Sequence, residues 1–384
     1  MEQGDLEKDL DTLDLESVSV RSKQSLQELV WALVYGCGED KLRAAYEIRM
    51  LTKSSAKRRA YLAAAGAITP LVSMLSSSSM EAQDASMQAL LNLAVRHERN
   101  KVKIVKAGAI PVLIKLLQSE NANLRESAAA VILTLSASNA NKPVIGSSDA
   151  PGLLVDMLMC GSVQGRVDAV MALYNLSTYP DNLMPILTAG AISPLILLLK
   201  DCRKASKVAE KTTALLQSLM VFEEARSAVA SEEGGVLTLV EVLEEGSLQS
   251  REHAVSALLT MCQSSRCKYR QAILQEGVIP GLLELTVQGT TGARQKAQNL
   301  LQLLRDPPQS ARSSFASSME SIVYDIASRV DKPESGSVNA KKILTDMVQL
   351  SMEQSMRHLQ QRSMTSLPAN PRSRSSRTTK KPTN

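Results

Sequence analysis

The residues of this chain that could do chemistry are few and scattered. The three histidines, His97, His253 and His358, lie far apart in the sequence. Among the five cysteines only Cys262 and Cys267 are close, and with His253 they form a set that lacks a fourth ligand at the spacing of a zinc site. No phosphate-binding loop, nucleophile elbow, zincin motif or kinase motif is present. We therefore expect no catalytic residue, no metal and no cofactor, and a protein that is not an enzyme.

A repeated motif, in contrast, runs through most of the chain. A small or acidic residue followed by glycine or a substitute opens a short apolar run six times, at Gly66, Gly108, Asp149, Gly190, Gly234 and Gly277. Successive copies are 42, 41, 41, 44 and 43 residues apart. Self-similarity at about 40–47 residues indicates a helical solenoid, in which each unit buries its apolar face against its neighbours. The motif therefore favours surface recognition over catalysis.

Residues 98–139 show how one unit is expected to fold. A short first helix ends at Gly108, because glycine tolerates the positive φ that often follows a helix. A second helix starts next, with Pro111 in its first turn, where the missing N–H does no harm. Polar turn formers interrupt it, and a third helix follows over residues 124–136. The chain is predicted to be an all-α, right-handed α-solenoid of about seven units over residues 24–306, the first without an obvious leading helix.

The three-helix unit, its corner glycine and third helices such as QDASMQALLNL (83–93) and RVDAVMALYNL (166–176) resemble the armadillo repeat family. The recurring third helix disfavours the alternative, the two-helix HEAT repeat. The segments EEGGVLTLVEVLEEGSLQSREHAVSALLTMCQSS and KAQNLLQLLRD are most similar to the armadillo domains of plant U-box ubiquitin ligases and their U-box-less relatives. Only 23 residues precede the array, so we expect the recognition half of such a ligase without the half that docks the conjugating enzyme.

The resemblance implies a concave groove lined by the third helices. Its candidate partner-binding residues are Tyr46, Gln88, Asn92, Thr134, Met171, Asn175, Ser218 and Thr260. A row of Asn, Thr and Ser could clamp the backbone of an extended peptide, because these side chains donate and accept hydrogen bonds. The alternative is that Asn92 and Asn175 hold neighbouring repeats together. The tryptophan ladder of importin α is missing, since the single tryptophan, Trp31, lies outside the corresponding positions, so import of basic cargo is less favoured.

Charge is concentrated at the two ends of the chain. Residues 1–16 carry seven acids and one lysine, a net charge of −6, and residues 354–384 carry seven bases and no acid. Without that basic tail the net charge of +5 becomes −2, so no nucleic acid partner is expected. A basic patch near the start of the array contains Lys57, Arg58, Arg59, Arg96 and Arg99. It could attract acidic partner segments, form a solvated edge, or engage residues 1–16 of the same chain.

The segments outside the array are interpreted from composition and periodicity. Residues 1–23 are expected to be acidic and flexible. Residues 307–362 are predicted to form C-terminal helices that either cap the last repeat or bind a partner, and residues 363–384 to form a disordered, Ser/Arg-rich basic tail. No apolar run is long enough to span a membrane, and the acidic N-terminus is unlike a signal peptide, so a cytoplasmic or nuclear monomer is expected.

The sequence thus predicts a non-enzymatic scaffold that binds extended or acidic segments of other proteins along its groove. The alternative function is substrate recognition or regulation linked to ubiquitin ligation, without a U-box of its own. A nuclear transport adaptor is a third and less favoured function.

Overall fold

The computed structural model describes residues 20–305, which form twenty α-helices, one short 3₁₀ helix and no strand. The helices group into seven units, the first with two helices and each of the others with three. Unit 1 contains α1 (Val20–Tyr35) and α2 (Gly38–Thr52); unit 2 contains α3 (Ala56–Ala64), α4 (Ile68–Met74) and α5 (Met80–Ala94); unit 3 contains α6 (Glu98–Lys106), α7 (Ala109–Leu117) and α8 (Ala122–Ser136).

The remaining four units continue this plan. Unit 4 contains α9 (Lys142–Gly146), α10 (Ala150–Cys160) and α11 (Val163–Ser177); unit 5 contains the 3₁₀ helix Pro180–Asn182 that leads into α12 (Leu183–Thr188), then α13 (Ile192–Asp201) and α14 (Lys207–Leu219). Unit 6 contains α15 (Glu223–Ser231), α16 (Gly235–Glu245) and α17 (Leu248–Ser264); unit 7 contains α18 (Arg266–Gln275), α19 (Ile279–Gln288) and α20 (Thr291–Arg305). The predicted all-α solenoid, with a first unit that lacks one helix, is confirmed.

The first helix begins at Val20, inside the segment predicted to be flexible. It forms there because Leu26, Val30 and Leu33, at helical spacing, are all buried in the core. Residues 1–19, the predicted C-terminal helices (307–362) and the predicted tail (363–384) lie outside the described residues. Between residues 20 and 305, no single helix is long and apolar enough to cross a membrane, although one bent pair, Pro180–Thr188 with Ile192–Asp201, passes by length and composition.

The corner glycines explain where five of the first helices stop. Their φ angles lie between 66° and 96°, a region that side-chain-bearing residues rarely adopt, at Gly66, Gly108, Gly190, Gly234 and Gly277. Asp149, the sixth copy of the motif, has a φ of −72° instead. Unit 4 therefore turns its corner without a left-handed residue, which is why an aspartate is tolerated at this one position.

Polar residues start the third helices. The side-chain oxygen of each of five residues accepts a hydrogen bond from a backbone N–H in the first turn; these residues are Ser79, Asn121, Ser162, Ser206 and Ser247. Such a cap contributes about 1 kcal/mol to helix stability. The polar turn formers between the second and third helices thus have a defined role, which is to begin the helix that faces the next unit.

The third helices of successive units pack side by side along the array. Small residues allow this close approach, and Ala89, Ala172 and Ala257 are fully buried. The core is one continuous cluster from Leu26 to Leu304, built almost wholly from aliphatic residues and methionine. Each unit is therefore stabilised chiefly by its neighbours, as expected for a solenoid.

A set of buried asparagines, which we call the asparagine ladder, joins the starts of units 3, 4 and 5. Asn100, Asn141 and Asn182 are at most 3% exposed. Each Nδ2 donates to a main-chain oxygen of the preceding first helix and to one near the end of the preceding third helix. The six distances lie between 2.9 and 3.2 Å, and the acceptors are Arg59 and Leu93, Lys101 and Leu135, and Lys142 and Leu176.

Candidate protein-binding site

The side chains predicted to line the groove lie along one side of the third helices, which we call the third-helix face. In units 2 to 4 this face includes Gln88 and Asn92 of α5, Thr134 of α8, and Met171 and Asn175 of α11, all half-buried. Residues four apart share one side of a helix. Because the third helices pack side by side, Asn92, Thr134 and Asn175 form a polar row across three units.

The two asparagines of this row bind the repeat that precedes them. Asn92 Nδ2 donates to the main-chain oxygen of Arg49 at 2.8 Å. Asn175 Nδ2 donates to Ser136 Oγ at 3.2 Å and to the main-chain oxygen of Leu133 at 3.4 Å. Both residues therefore hold neighbouring repeats together, and each keeps an Oδ1 atom to which no donor is bonded within residues 23–305.

The hydroxyl groups of the face are fixed by the helices that carry them. Thr134, Ser218 and Thr260 each donate to the carbonyl oxygen four residues earlier, at 2.9–3.1 Å. Tyr46 is 36% exposed, and its hydroxyl reaches across from unit 1 to Glu81 Oε1 at 3.3 Å. Each of these oxygens still has a lone pair with which it can accept a further hydrogen bond.

Acidic side chains share this face, and sequence reasoning missed them. Each third helix of units 2 to 4 has an acid seven or eight residues before its residue of the polar row: Asp84, Glu126 and Asp168. This spacing could have predicted that the acids lie on the same face. An open cavity of about 500 Å³ lies between the starts of α5 and α8. It is lined by Met80, Glu81, Asp84, Asn121, Asn123, Leu124, Glu126 and Ser127. The N-terminal half of the face therefore presents carboxylates as well as amides.

None of these carboxylates forms an ion pair within residues 23–305. Asp84 accepts a hydrogen bond from Ser127 Oγ at 2.9 Å, and Asp168 accepts one from Gln164 Nε2 at 2.8 Å. Burial raises the pKa of Asp168, and the charge of Glu126 raises it further. The face of units 2 to 4 thus carries negative charge that the described residues leave without a cationic partner.

The charge pattern changes at unit 5. Lys211 of α14 places its Nζ 4.1 Å from the ring centroid of Tyr174 on α11, a cation–π contact. Glu210, the acid of this helix turn, lies 2.6 Å from Lys207 Nζ and 3.5 Å from Lys211 Nζ. Since this carboxylate is already neutralised by two lysines, the region of unpaired acids ends between units 4 and 5.

The residues first considered for metal binding do not converge. His253 is half-buried and shares a hydrogen bond with Gln217, and burial lowers its pKa. Burial raises the pKa of the Cys262 thiol to about 11, whereas Cys267 is exposed. In the part of the chain that the structure describes, no three His, Cys, Asp or Glu side chains group closely enough to hold a metal ion.

The predicted basic patch is only partly a surface. Arg59 is 8% exposed, and its Nη1 donates to the main-chain oxygen of Thr52 at 2.9 Å. Burial lowers the pKa of Arg59, and the nearby charge of Arg96 lowers it further. Arg59 is therefore not a candidate partner-binding residue of the basic patch, because its guanidinium stabilises the connection between α2 and α3. Lys57, Arg96 and Arg99 are exposed, and Arg58 is half-buried.

Stacked three-helix units with corner glycines define the class of this molecule, an armadillo-type α-solenoid. The family model described as the plant U-box protein ARM repeat region matches residues 8–142 and 115–326. The chain therefore belongs to this family.

Relatives with curated names show the same relationship. The chain is 34% identical over 319 residues to U-box domain-containing protein 45 of Arabidopsis thaliana, covering 79% of this chain and 41% of the relative. It is 34% identical over 297 residues to U-box domain-containing protein 17 of the same plant, covering 76% of this chain and 40% of the relative. The chain thus spans about two-fifths of the length of these relatives.

The fold is also found among solved structures. A crystal structure of an engineered protein superposes with a TM-score of 0.65 at 22% identity, covering 87% of this chain and 78% of the other. At this identity the likeness concerns the fold alone.

Proposed function

We propose that this chain is a non-enzymatic scaffold whose third-helix face binds extended segments of other proteins. The observation that carries this proposal is the polar row of Asn92, Thr134 and Asn175, which crosses three units and keeps unused acceptor oxygens. Packed helices lie about 8–10 Å apart, so an extended segment would present a backbone N–H to each unit about every third residue. The row then serves as a periodic clamp for a peptide main chain.

The negative charge of the third-helix face indicates which charge a bound partner segment should carry. Four carboxylates of this face have no lysine or arginine partner among the described residues: Glu81, Asp84, Glu126 and Asp168. A partner segment that carries lysine or arginine therefore complements them. Acidic segments were expected at the basic patch, which lies on other helices. For the third-helix face we propose basic, extended partner segments.

Fluorescence anisotropy with the full chain tests this proposal. The probes are two fluorescein-labelled peptides of about twelve residues, one alternating lysine and serine and the other alternating glutamate and serine. We expect the basic peptide to bind at least about tenfold more tightly, with an affinity that falls as salt rises. The double variant Asp84→Asn with Glu126→Gln should lower that affinity about three- to tenfold, since partly exposed ion pairs contribute modestly.

The matched control for this pair is Glu120→Gln, an exposed side chain that lies just before α8 and outside the cavity. It should leave the affinity for the basic peptide unchanged. Equal affinities for the two peptides would contradict the proposed charge preference. If the double variant binds the basic peptide with the same affinity as the wild type, the peptide binds elsewhere.

Family membership favours a second candidate function, in ubiquitin ligation. We propose that the chain recognises or regulates substrates in that pathway without itself transferring ubiquitin, because the family model it matches describes the repeat region. The purified full chain, incubated with activating enzyme, a panel of conjugating enzymes and ubiquitin, should form no ubiquitin chains. Chains that appear without an added ligase would overturn this part of the proposal.

A further inference from the structure

Exposed basic side chains form a second charged surface, on the first helices of units 2 and 3. Lys57 lies in the first turn of α3, and Arg96 lies just before α6. Arg99, Lys103 and Lys106 follow along α6 at i, i+4 and i+7, so they share one side of that helix. All five side chains are exposed. We call these five residues the first-helix basic patch.

The two helices that carry this patch are joined. Asn100 Nδ2 on α6 donates to the main-chain oxygen of Arg59 on α3 at 3.2 Å. The charge of Arg96 acts on Arg59, so the turn before α6 also lies close to α3. Glu98, the one acidic residue of α6, already pairs with Lys101 at 3.2 Å. The patch therefore combines five exposed basic side chains on two joined helices.

The chain enters the described structure beside this patch. Tyr61 of α3 donates its hydroxyl to the main-chain oxygen of Lys23, near the start of α1, at 3.3 Å. Tyr61 stands four residues after Lys57, so both lie on the same side of α3. Residues 1–16, with a net charge of −6, are joined to Val20 by only three residues. The acidic segment 1–16 is thus tethered next to the first-helix basic patch.

We propose that the acidic segment 1–16 docks on the first-helix basic patch of the same chain and covers it. Sixteen extended residues reach up to roughly 50 Å, whereas neighbouring helices lie about 10 Å apart, so the segment can span the patch as far as Lys106. Tethering gives it a local concentration on the order of 1 mM. At that concentration an attraction with a dissociation constant of about 0.1 mM keeps the patch about nine-tenths occupied. The docked segment closes the patch to acidic segments of other proteins.

Carbodiimide cross-linking of the full chain tests the contact directly, because this reagent joins carboxylates only to amines that they touch. We expect cross-links from residues 1–16 to Lys57, Lys103 and Lys106, found by mass spectrometry after proteolysis. They should disappear at about 0.5 M NaCl, where the screening length falls to a few ångströms. The control amine is Lys115 of α7, which is exposed but outside the patch. Cross-links to Lys115 as frequent as those to the patch, or none to the patch, would overturn the proposal.

Binding in trans tests the consequence. A full-chain variant with Asp5→Asn, Glu7→Gln, Asp9→Asn, Asp11→Asn and Asp14→Asn should bind the fluorescein-labelled glutamate–serine peptide at least about fivefold more tightly than the wild type at low salt. Adding Lys103→Gln and Lys106→Gln to that variant should remove the gain. Equal binding by wild type and variant would show that the segment does not cover the patch. This test leaves the third-helix face unaltered, so it fails or succeeds independently of the proposed function.

Discussion

Two sets of asparagines recur in this solenoid, one in three successive units and the other two units apart, and they differ in burial. The ladder residues Asn100, Asn141 and Asn182 are at most 3% exposed, and each donates both amide hydrogens to main-chain oxygens of the preceding unit. Asn92 and Asn175 are half-buried on the third-helix face, and their amides also donate to the preceding unit. Only the second set keeps an acceptor oxygen on a face that a partner can reach.

This difference teaches that residue type and spacing do not by themselves separate a structural position from a recognition position. A buried asparagine that donates both amide hydrogens within the core contributes to stability alone. An asparagine whose Nδ2 donates to the neighbouring repeat while its Oδ1 stays accessible can contribute both to stability and to binding. Substitutions in the two sets should therefore have separable effects.

The largest effect is expected from Asn141→Ala in the ladder. The change removes two hydrogen bonds and leaves the main-chain oxygens of Lys101 and Leu135 without that donor. Each buried group left unpaired costs about 1–3 kcal/mol, so the free energy of unfolding should fall by about 2–4 kcal/mol in urea denaturation. The control Asn139→Ala, at an exposed residue two positions earlier, should change it by less than about 0.5 kcal/mol. Equal losses in the two variants would remove the special role of the ladder.

A smaller loss of stability is expected from the double variant Asn92→Ala with Asn175→Ala. Each change removes hydrogen bonding to the preceding unit, which contributes about 0.5–1.5 kcal/mol net. The melting temperature should therefore fall by several degrees, less than in Asn141→Ala, when both are measured by circular dichroism at one pH. A melting temperature equal to that of the wild type would mean that these amides face solvent in the folded protein and do not stabilise the contact between repeats.

The smallest effect, and one of opposite sign, is expected from Asp168→Asn. Burial raises the folded-state pKa of Asp168, so the folded protein holds this proton more tightly than the unfolded chain does. The stability contribution of this group therefore falls as pH rises through those pKa values and is least favourable at neutral pH. The asparagine should raise the melting temperature slightly at pH 7, and the gain over wild type should shrink toward pH 4. A lower melting temperature at pH 7 would show that the carboxylate is stabilising.

Much of the architecture could be predicted because it rests on local signals. Corner glycines such as Gly108 and the periodicity of apolar residues determine where helices begin, end and bury their sides. The burial of Arg59 could not be predicted, because it depends on the carbonyl of Thr52 in another helix. The division of the asparagines into ladder and row could not be predicted either. The ladder residues lie 41 residues apart and Asn92 and Asn175 lie 83 apart, so both fit the repeat, and only the packing of neighbouring units decides which set is buried.

The most direct test of the third-helix face as the binding site is the affinity of the lysine–serine peptide for three proteins, measured by anisotropy at about 10 °C. These are the wild type, the double variant Asn92→Ala with Asn175→Ala, and Asn141→Ala, each shown by circular dichroism to be folded. We expect the double variant to bind about tenfold more weakly, about 1.4 kcal/mol, and Asn141→Ala to bind like the wild type despite its larger loss of stability. Weaker binding by Asn141→Ala with full binding by the double variant would contradict this assignment and place recognition elsewhere on the solenoid.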